Sequence, residues 1–364
     1  MEWKTVKLGD ILNFRRGHDL PHSEMKDGDV PVAGSNGCIG YHNVATPVAP
    51  IITIGRSGNV GMPFYYERAW AHNTTLYIDD FKGNNPKYLY YLVKTLPLAS
   101  FGGGSAVPTL NRNHIHPLEV LHISDRKAQD KIVAILSSLD AKIKNKSRIN
   151  ANLEAQVQAL FKSWFIDFEP FGGVMPDDWK EGKLGEICVS LKEKVGDRDD
   201  VKVLSPINSG QLVLSEEFFT KQVYSASIAK YIIVPPMAFA YNPARVNIGS
   251  LGMNEFDYDG CVSPVYSVFE CKDGYEYFFD LFRRTETFKE EVRSRAIGGV
   301  RQTLNYKDFA LIDSVIPSKK DVERFNELYG SLLDVIKANQ RENKRLAQLR
   351  DTLLPKLMKG EAIV

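Results

Sequence analysis

The stretch WKTVKLGDI at residues 3–11 is written a second time as WKEGKLGEI at residues 179–187. Trp3, Lys4, Lys7, Leu8, Gly9 and Ile11 match Trp179, Lys180, Lys183, Leu184, Gly185 and Ile187, at an offset of 176. Two further pieces recur in the same order. Thr109-Leu110-Asn111 returns as Thr303-Leu304-Asn305, at an offset of 194, and an apolar run follows each copy. A helical stripe of Ile132, Ile135, Leu139, Ile143, Leu153, Leu160 and Trp164 returns as Phe325, Leu328, Leu332, Ile336, Leu346, Leu353 and Leu357, one to one at an offset of 193. The chain is therefore a duplicated frame. The middle of the second copy is about 18 residues longer, and the two middles look unrelated: SNGCIGYHN has no counterpart in PINSGQLVL. A pseudo-symmetric enzyme would use its two halves to build one central site. Here a long helix stands between the halves, which points to two distant sites.

Each copy reads as mixed β-structure followed by a long helix. In the first, PIITIG (50–55), FYY (64–66) and TTLYI (74–78) have strand character, and PKYLYYLVKTL (86–96) has helical spacing with proline in its first turn. Residues 125–168 carry an apolar stripe at steps of three and four, a helix roughly 60 Å long, with Ser124 or Asp125 as its N-cap. In the second copy KYIIV (230–234), MAFAY (237–241) and YSVFEC (266–271) read as strands and residues 276–296 as one helix. The closing helix starts at the capping box Ser318-x-x-Asp321, and Pro355 is expected to break or kink it. The fold class is thus α+β. Residues 1–124 and 171–317 form two domains, and helices over 125–170 and 318–364 pair as an antiparallel coiled coil, because each stripe has only the other to bury against.

Of 364 residues, 43% are hydrophobic and 25% charged, the balance of a folded soluble protein, and the net charge is +1. A nucleic-acid surface would have to be a local patch, because the bulk field is weak. The four cysteines form no CxxC and read as reduced thiols. With no signal peptide and no apolar run near the roughly 20 residues that span a bilayer, a cytoplasmic protein with no membrane partner is expected.

Complete catalytic motifs are missing. There is no GxxxxGK[ST] and no HExxH, and GRSGNVG (55–61) lacks the GxGxxG pattern. FGGGS (101–105), NPAR (242–245) and SPVY (263–266) each fall short of methyltransferase motifs. His114 and His116 read as turn residues rather than metal ligands. What the middles do carry is side chains able to read base edges: arginine forks onto guanine, and asparagine onto adenine. In the first domain these are Ser35, Asn36, Arg56, Ser57, Asn59, His72 and Asn73, set among glycines that let backbone amides approach phosphate. In the second they are Lys230, Tyr241, Asn242, Arg245 and Asn247, with the basic residues Arg293, Arg295 and Arg301.

Together, WKTVKLGDI and WKEGKLGEI, GSNGCIGYHN, IITIGRSGNVG, AVPTLNRNHI, VRQTLNYKDF and the closing LLPKLMKGE resemble the specificity subunit of a type I restriction–modification system, over essentially the whole chain. A free-standing regulator using the same fold, or an enzyme active alone, are the other readings. The resemblance implies a non-catalytic DNA reader in which each target-recognition domain reads one half of a split double-stranded DNA site. It also implies that the helix pair fixes the gap and docks two methyltransferase subunits. Those subunits would bind S-adenosylmethionine and methylate adenine N6, and restriction subunits would add ATP- and Mg-dependent cleavage. Near-neutrality is modest for a DNA binder and implies that partner subunits supply much of the phosphate grip. A rod of roughly 60 Å fits independently, since it would set two reading surfaces on successive turns of a duplex that repeats about every 34 Å.

Overall fold

The structure, a computed structural model, describes residues 2–102, 109–219, 224–272, 274–295 and 303–361. Two compact units divide it. Unit 1 joins residues 1–148 to 339–364, and unit 2 is the continuous segment 149–338.

The described residues of unit 1 form nine strands: β1 (Trp3–Lys7), β2 (Asn13–Arg16), β3 (Val30–Gly34), β4 (Gly37–His42), β5 (Ile51–Gly55), β6 (Pro63–Tyr66), β7 (Trp70–Ala71), β8 (Thr75–Asp80) and β9 (Glu119–Ile123). The repeated WK stretch is β1, paired antiparallel with β9. The main sheet has the order β2-β8-β5-β6, and a second sheet, β4-β3-β7, lies beside it. Alternation along the central strands decides what each face covers. Ile52, Ile54, Leu76 and Ile78 join a core with Tyr88, Leu89 and Leu92 of the helix Pro86–Lys94. Ile51 and Tyr77, one residue out of phase, meet Ala33 and Ala71 of the second sheet. Helix Pro86–Lys94 begins as its sequence signals: Pro86 stands in the first turn, and the Asn85 side chain accepts from the amides of Lys87 and Tyr88.

Unit 2 holds β10 (Lys180–Lys183), β11 (Cys188–Leu191), β12 (Lys202–Pro206), β13 (Leu212–Leu214), β14 (Ile232–Val234), β15 (Phe239–Tyr241), β16 (Leu251–Met253), β17 (Gly260–Val262), β18 (Ser267–Cys271) and β19 (Asp313–Ile316). Its first pairing repeats that of unit 1 residue for residue. Lys4 faces His122 and Lys180 faces Ile316; Lys7 faces Glu119 and Lys183 faces Asp313. The sequence offsets of 176 and 194 are thus the register of one duplicated ladder.

The duplication goes deeper than the sequence reading allowed. The main sheet of unit 2, β11-β18-β15-β16, has the order and pairing sense of β2-β8-β5-β6. In the second sheets, β3 and β12 each take one antiparallel and one parallel neighbour. The middles are therefore the same fold with unrelated sequences, because β-pairing constrains only which face is apolar. Most of the extra length lies at one place. Residues 43–50 link β4 to β5, whereas 215–238 link β13 to β15 and contribute the added strand β14.

The long helices run over Arg126–Phe165 (helix A) and Lys319–Met358 (helix B). In unit 1, Asp140 pairs with Arg350 at 2.9 Å, Lys146 with Glu342 at 3.0 Å, and the Asn343 side chain meets Ser147 at 3.1 Å. Partner numbers fall from 350 to 342–343 as numbers rise from 140 to 146–147, so the helices are antiparallel. Helix A here buries Ala128, Ile132, Val133 and Leu136 with Leu354, Leu357 and Met358 of helix B. In unit 2, Val157, Phe161, Trp164 and Phe165 pack with Val322, Phe325 and Tyr329. The seam turns polar near its middle. Lys146 donates to Asn339 in unit 1, and in unit 2 the Asn150 side chain donates to the Ile336 carbonyl, each at 3.0 Å. Polar groups at such positions fix pairing register in two-helix coils.

Four sequence expectations need correction. Ile135 and Leu328 are 37% and 46% exposed, so they lie off the seam, which runs through their neighbours Leu136 and Tyr329. The other twelve stripe residues are buried or half-buried: Ile132, Leu139, Trp164, Phe325, Ile336 and Leu357 fully, and Ile143, Leu153, Leu160, Leu332, Leu346 and Leu353 in part. The helix read over 276–296 is two, Glu276–Phe282 and Glu286–Arg295, parted where the Thr285 hydroxyl accepts from the Phe288 amide. Pro355 does not end helix B, which continues to Met358. The stop comes at Gly360, with φ +71°, whose amide bonds Leu357 while the Glu361 amide bonds Lys356, the paired closure of a Schellman motif.

Candidate nucleic-acid interface

Three loops singled out in unit 1 converge at one end of the main sheet. Ser35-Asn36 is the two-residue turn between β3 and β4, where Gly34 faces Gly37. Arg56–Val60 follows β5, and His72–Thr74 joins β7 to β8. Ser35 is the clip that joins them. Its buried hydroxyl donates to the Ser57 carbonyl at 2.5 Å and lies 3.1 Å from that of Thr74. The Arg56 and Ser57 amides also bond the Thr74 carbonyl. Asn36 and Asn59 stay exposed, and Arg56 and Ser57 half-exposed. Asn73 spends its amide on Asp19, and the His72 ring lies 3.0 Å from the Thr74 hydroxyl. The Gly55 turn closes tightly: the Gly61 amide bonds the Gly55 carbonyl, and a Cβ at Gly55 would collide with the Asn59 carbonyl oxygen.

The framework segment Thr109-Leu110-Asn111 docks here. Ser57 and Thr109 form a β-bridge, and the Leu110 amide bonds the Arg56 carbonyl at 2.7 Å. A cavity of about 410 Å³ opens beside it, lined by Arg15, Arg16, Arg56, Leu76, Thr109, Leu110, Asn111 and Arg112. Arg15, Arg16 and Arg112 were not legible as site residues. Two belong to a strand and one to a helical turn, with no loop composition to mark them.

Unit 2 builds the counterpart. The Leu304 amide bonds the Pro243 carbonyl at 3.0 Å, as Leu110 bonds Arg56. Asn242 accepts from the Ala244 amide at 3.0 Å, and Gly249, with φ +92°, completes the turn before β16. A cavity of about 550 Å³ is lined by Asn242, Pro243, Ala244, Arg245, Val265 and Thr303. Arg245 and Asn247 are exposed on this loop. Lys230 is exposed elsewhere, just before β14 on the second sheet. Tyr241 must be withdrawn as a base reader. It is 0% exposed and packs on Phe269 and Phe309, because it occupies the helix-facing position that Ile54 takes in unit 1. Arg295 is committed to Glu291 and Asp313, at 2.8 and 3.2 Å, and so is no free cation. Arg301 lies outside the described residues.

All seven histidines belong to unit 1. Burial lowers the pKa of His72, His116 and His122. His116 does structural duty: its Nε2 accepts from the Phe14 amide at 3.1 Å. A lowered histidine binds its proton more readily unfolded than folded, so this stability is full above the ordinary value near 6.5 and is lost as pH falls through it. Acidification from neutrality toward pH ~5.5 is therefore expected to loosen unit 1 before unit 2. Peptide-resolved hydrogen exchange at both pH values checks this, and equal loosening of the units would contradict it.

Among the described residues no group of three His, Cys, Asp or Glu is placed to hold a metal, and no helix is long and apolar enough to cross a membrane. The site is thus a pair of exposed, arginine- and asparagine-bearing loop clusters on a duplicated frame, the build of a nucleic-acid reader. Residues 1–155 match the family described as type I restriction modification DNA specificity domain. The chain is 29% identical over 310 residues to the type I restriction enzyme MjaIX specificity subunit of Methanocaldococcus jannaschii, covering 76% of this chain and 68% of that protein. It is 25% identical over 318 residues to the HindI specificity subunit of Haemophilus influenzae, covering 66% and 68%. The crystal structure of the type I restriction-modification system S subunit from M. genitalium shares the fold, with a TM-score of 0.64 at 15% identity over 98% of this chain and 96% of that one. Residues 1–155 thus match a type I restriction modification DNA specificity domain, and the curated relatives that the longer chain resembles are type I specificity subunits.

Proposed function

We propose that each unit reads one half of a bipartite, asymmetric DNA site, and that the paired helices fix the unread gap and dock two methyltransferase subunits. Those subunits bind S-adenosylmethionine and methylate adenine N6. Restriction subunits bring ATP and Mg, and the specificity chain itself contributes no catalysis. The complex works in the cytoplasm, where its DNA lies. One observation carries this reading. The loops after β5 and β15 hang from the same register of the same sheet, yet Arg56-Ser57 stands where Pro243-Ala244 stands. A common frame with unlike contact residues is what two unlike half-sites require. Asn36, Arg56, Ser57 and Asn59 serve the first half-site, and Asn242, Arg245 and Asn247 the second.

Replacing residues 12–108 with those of a relative is expected to change one half-site and leave the other half-site and the gap unchanged. Mapping methylated adenines in cells that carry the subunits reads out both halves. A swap that altered both halves would overturn the modular reading.

A further inference from the structure

The near-neutral net charge conceals an uneven one. In unit 1, Arg15 and Arg16 of β2 face Tyr77 and Leu76 of β8, and Arg56 follows the residue of β5 that faces Thr75. The side chains thus leave the two neighbours of β8 at the same end. Arg112 Nη1 donates to the Phe14 carbonyl at 3.2 Å, which lays its guanidinium along β2. All four line one cavity of about 410 Å³, whose wall includes no carboxylate. Among the described residues none of the four is in an ion pair. By contrast Arg68, Arg126, Arg198, Arg283, Arg284, Arg295 and Arg350 are all paired with carboxylates. Four permanent positive charges held together without a counter-ion describe a site awaiting an anion.

The duplicated register gives the comparison. Strand pairing and the repeat offsets set Arg15, Arg16, Arg56 and Arg112 against Leu191, Lys192, Pro243 and Tyr306. Three of the four cations are absent from unit 2. Tyr306 there uses its hydroxyl on the Cys188 carbonyl at 2.9 Å, and among the described residues the unit 2 cavity is lined by one cation, Arg245.

We infer that Arg15, Arg16 and Arg112, beside the base-reading Arg56, grip the DNA backbone phosphates in this cavity, so that unit 1 is an electrostatic anchor of the chain with no equivalent among the described residues of unit 2. This rests on the DNA-reading function proposed above. It adds that Arg15, Arg16 and Arg112 position the duplex without selecting its sequence, since phosphate contacts carry no base information.

The test uses the full chain with its methyltransferase subunits and two duplexes, one bearing the methylated site and one lacking it. Binding is measured from about 50 to 200 mM salt. Each neutralised phosphate contributes about 0.9 to the slope of log affinity against log salt. Arg15→Gln combined with Arg16→Gln is expected to lower that slope by about 1.8 on both duplexes, leaving the methylated sequence unchanged. Arg15→Lys with Arg16→Lys keeps the charge and is expected to restore the slope, which separates lost charge from lost folding. A Gln variant that keeps the wild-type slope while the wild type still selects its site overturns the anchor alone. A changed half-site also overturns it, by making these arginines base readers. A wild-type complex that binds the two duplexes alike and methylates neither overturns the parent function instead.

Discussion

Phe325→Ala is expected to cost unit 2 about 3–5 kcal/mol, the range for removing a large ring from a closed core. Phe325 is fully buried, with ring centroids 4.9 Å from Phe165, 5.7 Å from Trp164 and 6.2 Å from Phe161 and Tyr329. It is the residue through which helix B meets helix A inside unit 2, so the cavity left behind opens between two helices that cannot close on it without shifting their register. Leu328→Ala, one helical turn on, should change stability by no more than about 0.5 kcal/mol, because Leu328 is 46% exposed. Denaturant titration of both variants measures the pair. Similar losses at the two positions would mean that the seam has been misplaced.

The second large effect concerns recognition rather than stability. At Gly55, alanine would drive its methyl into the Asn59 carbonyl, a backbone atom that cannot swing aside. The turn must open, and with it go the Gly61–Gly55 bond and the docking of Leu110 on Arg56. The apolar faces of β5 lie behind the turn and are untouched, so unit 1 should fold. On the proposed function, site-specific binding by the assembled complex should fall at least about tenfold, or ~1.4 kcal/mol. Each mismatched base contact is worth about 1–3 kcal/mol, and this loop carries several candidates. Competition between site-bearing and unrelated duplexes checks it. Retained selectivity would remove the Arg56–Asn59 loop from the reading surface.

The frame was legible because it is written twice. Trp3 against Trp179 and Leu110 against Leu304 gave two offsets, and the ladder register reproduces both. The common sheet of the middles was not legible. Ile54 and Tyr241 share a position, and nothing but apolarity unites them. That is also why Tyr241 was misread: its aromatic hydroxyl beside Asn242 resembled a contact loop, whereas β15 still had one buried residue to place. In unit 1 the glycine-rich loops singled out Ser35, Asn36, Arg56 and His72, which the fold brings to one end of the main sheet. Arg15, Arg16 and Arg112 escaped because convergence at a sheet end is a long-range fact. One signal was available, since carrying the first offset four residues beyond Ile11 sets Arg15 against Leu191, a difference that the frame alone does not require.

Unit 1 is stitched from two separate segments that flank unit 2, whereas unit 2 is a single uninterrupted segment. During synthesis, unit 2 can therefore reach its native state while its neighbour waits for residues 339–361 to clear the ribosome. Until then Ala128, Ile132 and Leu136 lack the cover of Leu354, Leu357 and Met358. Unit 2 can thus be complete while unit 1, begun earlier, still waits with a sticky helical flank uncovered.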